Sequence, residues 1–125
     1  MITSTDIKLT INFNDPELDL EERDKQARNL MFELKEMDEI EFVSRVLDPN
    51  PPEGNKALGG FLAGILTAEV NASNVKKLIG FLGDRLGGKP IELSVEANGK
   101  KLMVKAHSRE ELEAAIKSAQ DFVSG

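Results

Sequence analysis

Ile7, Leu9, Ile11 and Phe13 alternate with Lys8, Thr10 and Asn12, the period-two pattern of a strand with one buried face. Asn14-Asp15-Pro16 breaks that run. From about Asp19 the spacing changes to Leu20, Arg23, Ala27, Leu30, Met31, Leu34 and Met37, the three-and-four rhythm of an amphipathic helix. Its acidic first turns suit the helix dipole. Ile40 to Leu47 is rich in β-branched and aromatic residues and predicts a second strand, stopped by the stiff loop Asp48-Pro49-Asn50-Pro51-Pro52-Glu53-Gly54. Ala57 to Ala68 is apolar on nearly every face and predicts a deeply buried helix. Within it Gly60 and Gly64 should let another backbone come close. Asn71 to Asn74 interrupts, and Val75, Leu78, Ile79, Leu82 and Leu86 mark a further helix, capped by Ser73 and ended by Gly87-Gly88. After Pro90, Ile91, Leu93, Val95 and Ala97 form one alternating strand and Leu102, Val104 and Ala106 its return, joined by an Asn98-Gly99 turn. Ser108 and Glu111 have capping-box spacing ahead of a closing helix with Leu112, Ala115, Ile116, Ala119 and Val123.

The predicted order is β-α-β-α-α-β-β-α, an α/β (α+β) class chain. It implies one two-layer domain over residues 1–125, with a mixed four-stranded sheet and helices mainly on one face. A length of 125 residues leaves little for a second core. With 40% hydrophobic and 30% charged residues the chain is too apolar for disorder and too polar for a membrane protein. No targeting segment follows Met1, so the cytoplasm is the default expectation. The longest uncharged apolar run, Ala57 to Ala68, is too short to span a bilayer.

Net charge is -6, and it is uneven: residues 1–56 hold 14 acids and 7 bases, whereas residues 57–125 hold 8 acids and 9 bases. The acidic balance argues against a broad nucleic-acid surface, and with no Tyr or Trp a stacking platform would depend on Phe alone. Zero Cys excludes disulfides, thiolate metal sites and cysteine nucleophiles. Gly83-Asp84-Arg85-Leu86-Gly87-Gly88-Lys89 nearly spells a phosphate loop, but Pro90 stands where Ser or Thr would hold magnesium, and the segment runs from helix to strand rather than the reverse. Asp15, Glu17 and Asp19 open like a calcium loop, yet Leu20 and Gln26 occupy the positions needing Gly and Glu. His107 beside Ser108 lacks an orienting carboxylate and an oxyanion hole. Lys89, Lys100, Lys101 and Lys105 could form a small basic patch around the hairpin, although a solvated hairpin explains them as well. No catalytic residue, metal site or cofactor is expected.

The chain resembles the effector-associated constant component family, small domains of bacterial conflict and defence systems. The likeness runs from about Ile7 to Val123. It rests on the opening strand and helix, the loop Pro49 to Gly54, the segment Ala57-Leu58-Gly59-Gly60, and the ending from Pro90 to Val104 followed by Ser108 to Leu112. The resemblance implies a non-catalytic adaptor or scaffold that associates with effectors such as trypsin-like or caspase-like peptidases, NTPase-linked modules or effector-associated adaptor domains. From the residues themselves, Glu21, Glu22 and Asp24 on the acidic helix and Phe61 and Ile65 in the apolar segment form the expected partner surface, charge steering association and apolar contact holding it. A homo-oligomer contact would use the same apolar segment. The alternatives are a small-ligand sensor or anion-binding domain, or a conditional membrane role for Ala57 to Ala68. The protein is expected to hydrolyse neither peptides nor nucleotides, and His107→Ala to leave folding unchanged; saturable turnover abolished by that substitution would overturn the non-enzyme reading.

Overall fold

Alternation in the first strand carries through to three dimensions. In β1 (Asp6–Phe13) Ile7, Leu9, Ile11 and Phe13 are buried while Lys8 is exposed. The computed structural model describes residues 6–47, 61–97 and 99–124. Among these, β1 is followed by α1 (Leu20–Lys35), β2 (Ile40–Leu47), β3 (Phe61–Asn71), α2 (Val75–Leu86), β4 (Ile91–Ala97), β5 (Lys100–Ala106) and α3 (Arg109–Ser124). The five strands form one sheet in the order β2-β3-β1-β4-β5, with every neighbouring pair antiparallel.

That order interlocks two split β-α-β units. Strands β1 and β2, joined through α1, leave a gap filled by β3; β3 and β4, joined through α2, leave a gap filled by β1. Each crossover therefore skips one strand, and the first six elements have the ferredoxin-like plan, extended by β5 and α3. The α+β class and the helices on one face agree with the sequence pattern. Two details differ: the sheet has five strands rather than four, and it is antiparallel throughout rather than mixed. A β-α-β crossover pairs its own strands in parallel only when they become neighbours, and here both crossovers skip one strand.

The extra strand is β3. The helix expected over Ala57–Ala68 is replaced from Phe61 onward by a strand, while Ala57 to Gly60 and the loop Pro49 to Gly54 lie outside the described residues. Leu66, Ala68 and Val70 are fully buried on one face and alternate with Ile65, Thr67 and Glu69 on the other. Both faces are nearly free of charge, which hides the period of two, and β-branched Ile65, Thr67 and Val70 with Gly64 favour a strand.

All three helices cover the face that carries Leu9, Ile11, Leu66, Ala68, Leu93 and Val95. Ala27, Leu30 and Leu34 of α1, Leu78, Ile79 and Leu82 of α2, and Leu112 and Ala119 of α3 join them in one core. The N-terminus of α1 is closed by a capping box in which Asp19 accepts from the Glu22 amide at 2.8 Å and Glu22 accepts from the Asp19 amide at 3.4 Å. At α3, Ser108 Oγ accepts from the Glu111 amide at 3.2 Å, but Glu111 returns to the amide of His107 at 2.7 Å rather than to Ser108. Ser73 does not cap α2; its hydroxyl bonds Asn71 Oδ1 at 2.6 Å, and Asn74 is the N-cap residue. The near phosphate loop divides as a helix end, with Gly87 at the C-cap and Gly88 at φ 88°. Gly83 lies inside α2, where an added Cβ would come 2.6 Å from Ile116 Cδ1 of α3.

Gly64 is the backbone irregularity of β3. Its φ is 75°, and the β2–β3 register shifts between the Arg45↔Leu66 and Leu47↔Phe61 pairs that flank it. This is a bulged site of the kind that favours glycine. Gly64 thus lies at a sheet bulge facing α1, not on a helix. A Cβ there would sit 2.8 Å from Phe13 O and 3.1 Å from Arg23 Cβ. Gly64→Ala is expected to lower the unfolding free energy by about 1–3 kcal/mol, read by urea denaturation. Gly80, exposed on α2 with nothing within 4 Å of its added Cβ, should respond oppositely, Gly80→Ala raising stability by about 0.4–1 kcal/mol.

Candidate functional site

Asp24, on the second turn of α1, is only 3% exposed. Its Oδ1 pairs with the Arg45 guanidinium and accepts from the Gly64 amide at 3.1 Å, while Arg28 Nε lies 3.4 Å from Oδ2. Arg45 extends from β2 under the helix. Its Nε donates to Ile65 O at 3.3 Å and its Nη2 to Leu62 O at 3.4 Å, and the guanidinium carbon stands 5.1 Å from the Phe61 ring centroid. One carboxylate thereby joins α1 to both outer strands, β2 and β3.

The opposite face of the sheet has no helix over it. Its cross-strand rows follow from the register. One row runs Phe42, Glu69, Lys8, Glu96, Lys101; the next Ser44, Thr67, Thr10, Ser94, Met103; and the third holds Ile65, Asn12, Glu92 and Lys105. Acids and lysines thus alternate about a central row of hydroxyls, and Lys105 Nζ lies 3.6 Å from Glu92 Oε2. The lysines expected as a basic patch are interleaved with carboxylates. Phe42 and Met103 are 56% and 55% exposed at the two margins, and half-buried Ile65 lies between. Thr10, Asn12, Ile65, Glu92, Ser94, Lys101 and Met103 enclose a shallow depression of about 170 Å³. Ser94 Oγ, on its floor, is buried without a hydrogen-bond partner.

A second concavity, of about 240 Å³, opens on the helical side between α1 and the end of α2. Phe13, Leu30 and Leu86 give it an apolar floor, Gln26, Asn29 and Glu33 one wall, and Arg85 and Lys89 the other. Arg85 Nη2 lies 3.4 Å from Glu33 Oε1 across the mouth.

The residues expected to form one partner surface are separated. Glu21 and Glu22 are exposed on the first turn of α1, where Glu22 serves the capping box. Asp24 faces inward and is ion-paired, so its charge is not offered to a partner. Phe61 is half-buried beneath Arg45, and Ile65 lies on the uncovered sheet face, across the sheet from α1. Phe42 and Met103, which the sequence reading did not single out, stand out by exposure. Each is an apolar residue on the polar side of an alternating strand, and that misplacement was the available signal. Among the described residues, no group of three or more His, Asp or Glu is placed to hold a metal. Asp15 instead accepts from the Glu17 amide and from Arg23 Nε, and Asp19 caps α1. No helix among those residues is long and apolar enough to cross a membrane.

Removing one member of the buried pair leaves the other desolvated. Asp24→Ala is expected to cost about 3–5 kcal/mol, and the double replacement Asp24→Leu with Arg45→Met much less than the sum of the single changes; urea denaturation of the four proteins completes the cycle. Comparison of the chain with protein-family models, with curated proteins and with solved structures finds no match in any of the three.

Proposed function

We propose that the protein is a non-catalytic adaptor or scaffold that docks a protein partner on the uncovered face of its sheet. The observation that carries this reading is that face itself, where exposed Phe42 and Met103 and half-buried Ile65 interrupt a lattice of alternating Lys and Glu. A solvated antiparallel sheet face needs no large apolar side chains. Apolar residues set among charges of both signs suit a partner that is itself mixed in charge, with apolar contact giving affinity and the charges fixing register. The two central strands support a protein partner over a single-stranded nucleic acid. On this face β1 presents Lys8, Thr10 and Asn12, and β3 presents Ile65, Thr67 and Glu69, with no aromatic ring for base stacking.

The resemblance to effector-associated constant components supplies the partner class: a peptidase or NTPase-linked effector, or the small adaptor domain that joins one, in a bacterial conflict or defence system. The fold alone carries no such assignment, since ferredoxin-like domains host many functions. The test is co-purification of the tagged chain from its native host, followed by kinetics with the purified partner. A peptidase, NTPase-linked effector or adaptor domain should be recovered with the unaltered chain. Ile65→Arg combined with Met103→Glu should weaken its binding at least tenfold while the melting temperature holds. Replacing Glu21 and Glu22 by Lys, on the other side of the domain, should leave the dissociation rate unchanged. Loss of binding only in the Glu21 and Glu22 variant would move the docking surface to α1.

A further inference from the structure

The cleft between α1 and α2 is independent of the uncovered sheet face and differs from it in chemistry. Its floor is aliphatic and aromatic, formed by Phe13, Leu30 and Leu86, and its rim is polar with two cations and one anion. At about 240 Å³ it is smaller than the roughly 300–1,000 Å³ of sites for drug-sized molecules, which restricts an occupant to a few heavy atoms. Two features of the rim mark it as more than a packing defect. Gln26 Oε1 is buried and has no hydrogen-bond partner, a state that costs free energy unless something donates to it. Arg85 and Glu33, whose side chains are 55% and 40% exposed, meet across the mouth, so the pair can reopen without desolvating either charge.

We propose that this cleft binds a small zwitterion, an α-amino acid with an aliphatic side chain. Its ammonium group donates to Gln26 Oε1 and faces Glu33, its carboxylate is taken by Lys89 and Arg85, and its side chain lies on Phe13, Leu30 and Leu86. A simple anion would leave Gln26 Oε1 unpaired, and a simple amine would leave Lys89 without a counterpart. Only a molecule with both groups on adjacent atoms and a short apolar body answers all three parts of the lining.

The test is titration of the isotope-labelled full chain, followed by amide resonances, with leucine, 4-methylpentanoate, 3-methylbutylamine and inorganic phosphate. Leucine should give saturable shifts at Gln26, Asn29, Arg85 and Lys89. Loss of either the amine or the carboxylate should weaken binding at least tenfold, and phosphate should produce no saturable shift there. Lys89→Met should weaken leucine at least tenfold without lowering the melting temperature. Gln26→Leu should abolish the preference for leucine over 4-methylpentanoate. If Gln26 is only an unsatisfied packing residue, Gln26→Leu raises stability and leaves leucine binding unchanged, and the proposal fails. It fails equally if leucine gives no saturable shift, or if phosphate competes as strongly as leucine. None of these readings touches the sheet face, so docking of a protein partner stands or falls separately.

Discussion

A buried carboxylate that needs partners governs how the helical layer meets the sheet. Asp24 is sequestered under α1, where an unpaired charge would be prohibitively costly. Arg45 from one strand, the Gly64 amide from the next and the partly exposed Arg28 share it. The cation is itself satisfied by Ile65 O and Leu62 O and by the face of Phe61. Desolvating such a pair cancels much of its attraction, so its contribution is geometric before it is energetic. The amide of Gly64 can reach Asp24 only because β3 bulges there with a positive φ, and the bulge is open only to a residue without a Cβ. One charge on a helix thus constrains a strand pairing and a backbone conformation elsewhere in the chain.

The sequence made most of the sheet legible and lost it where charge was missing. β1, β4 and β5 alternate strictly, so their buried and open faces were readable residue by residue: Leu102, Val104 and Ala106 face the core while Lys101, Met103 and Lys105 face outward. The Phe61–Asn71 strand was read as helix because its outward residues include Ile65 and Thr67, which do not contrast with Leu66 and Ala68. Polarity marks a face only when that face meets water, and β3 lies between two other strands with its open side partly shielded by long neighbours. Strand order was not readable at all, since local periodicity carries nothing about which strand fills the gap in a split crossover.

The candidate surfaces were legible to different degrees. Ile65 was singled out from an apolar run and does lie on the uncovered face, but Asp24 was grouped with Glu21 and Glu22 by adjacency in a charge run. On a helix three residues apart in sequence span nearly a full turn, and the paired carboxylate is turned toward Arg45 rather than to solvent. Phe42 and Met103 were passed over for the opposite reason. Each sits on the polar side of an alternating strand, where one apolar residue looks like noise until the register sets it beside Glu69 or Ser94. The cleft rim was hidden because Gln26, Glu33, Arg85 and Lys89 come from two segments that only the fold joins.

The interlocked crossovers also set a timetable for the growing chain. β1 lies between β3 and β4, so Thr10 pairs with Thr67 and Ser94, and neither partner exists when β1 leaves the ribosome. Ile7, Leu9, Ile11 and Phe13 must then wait as an uncovered apolar edge, held apart from other chains only by the lone cation of Lys8 and by α1, which forms next. The most buried strand of the finished sheet is for that interval its most association-prone segment. The acidic helix that follows it in sequence therefore acts first as a soluble shield during synthesis, and only later as one wall of the finished domain.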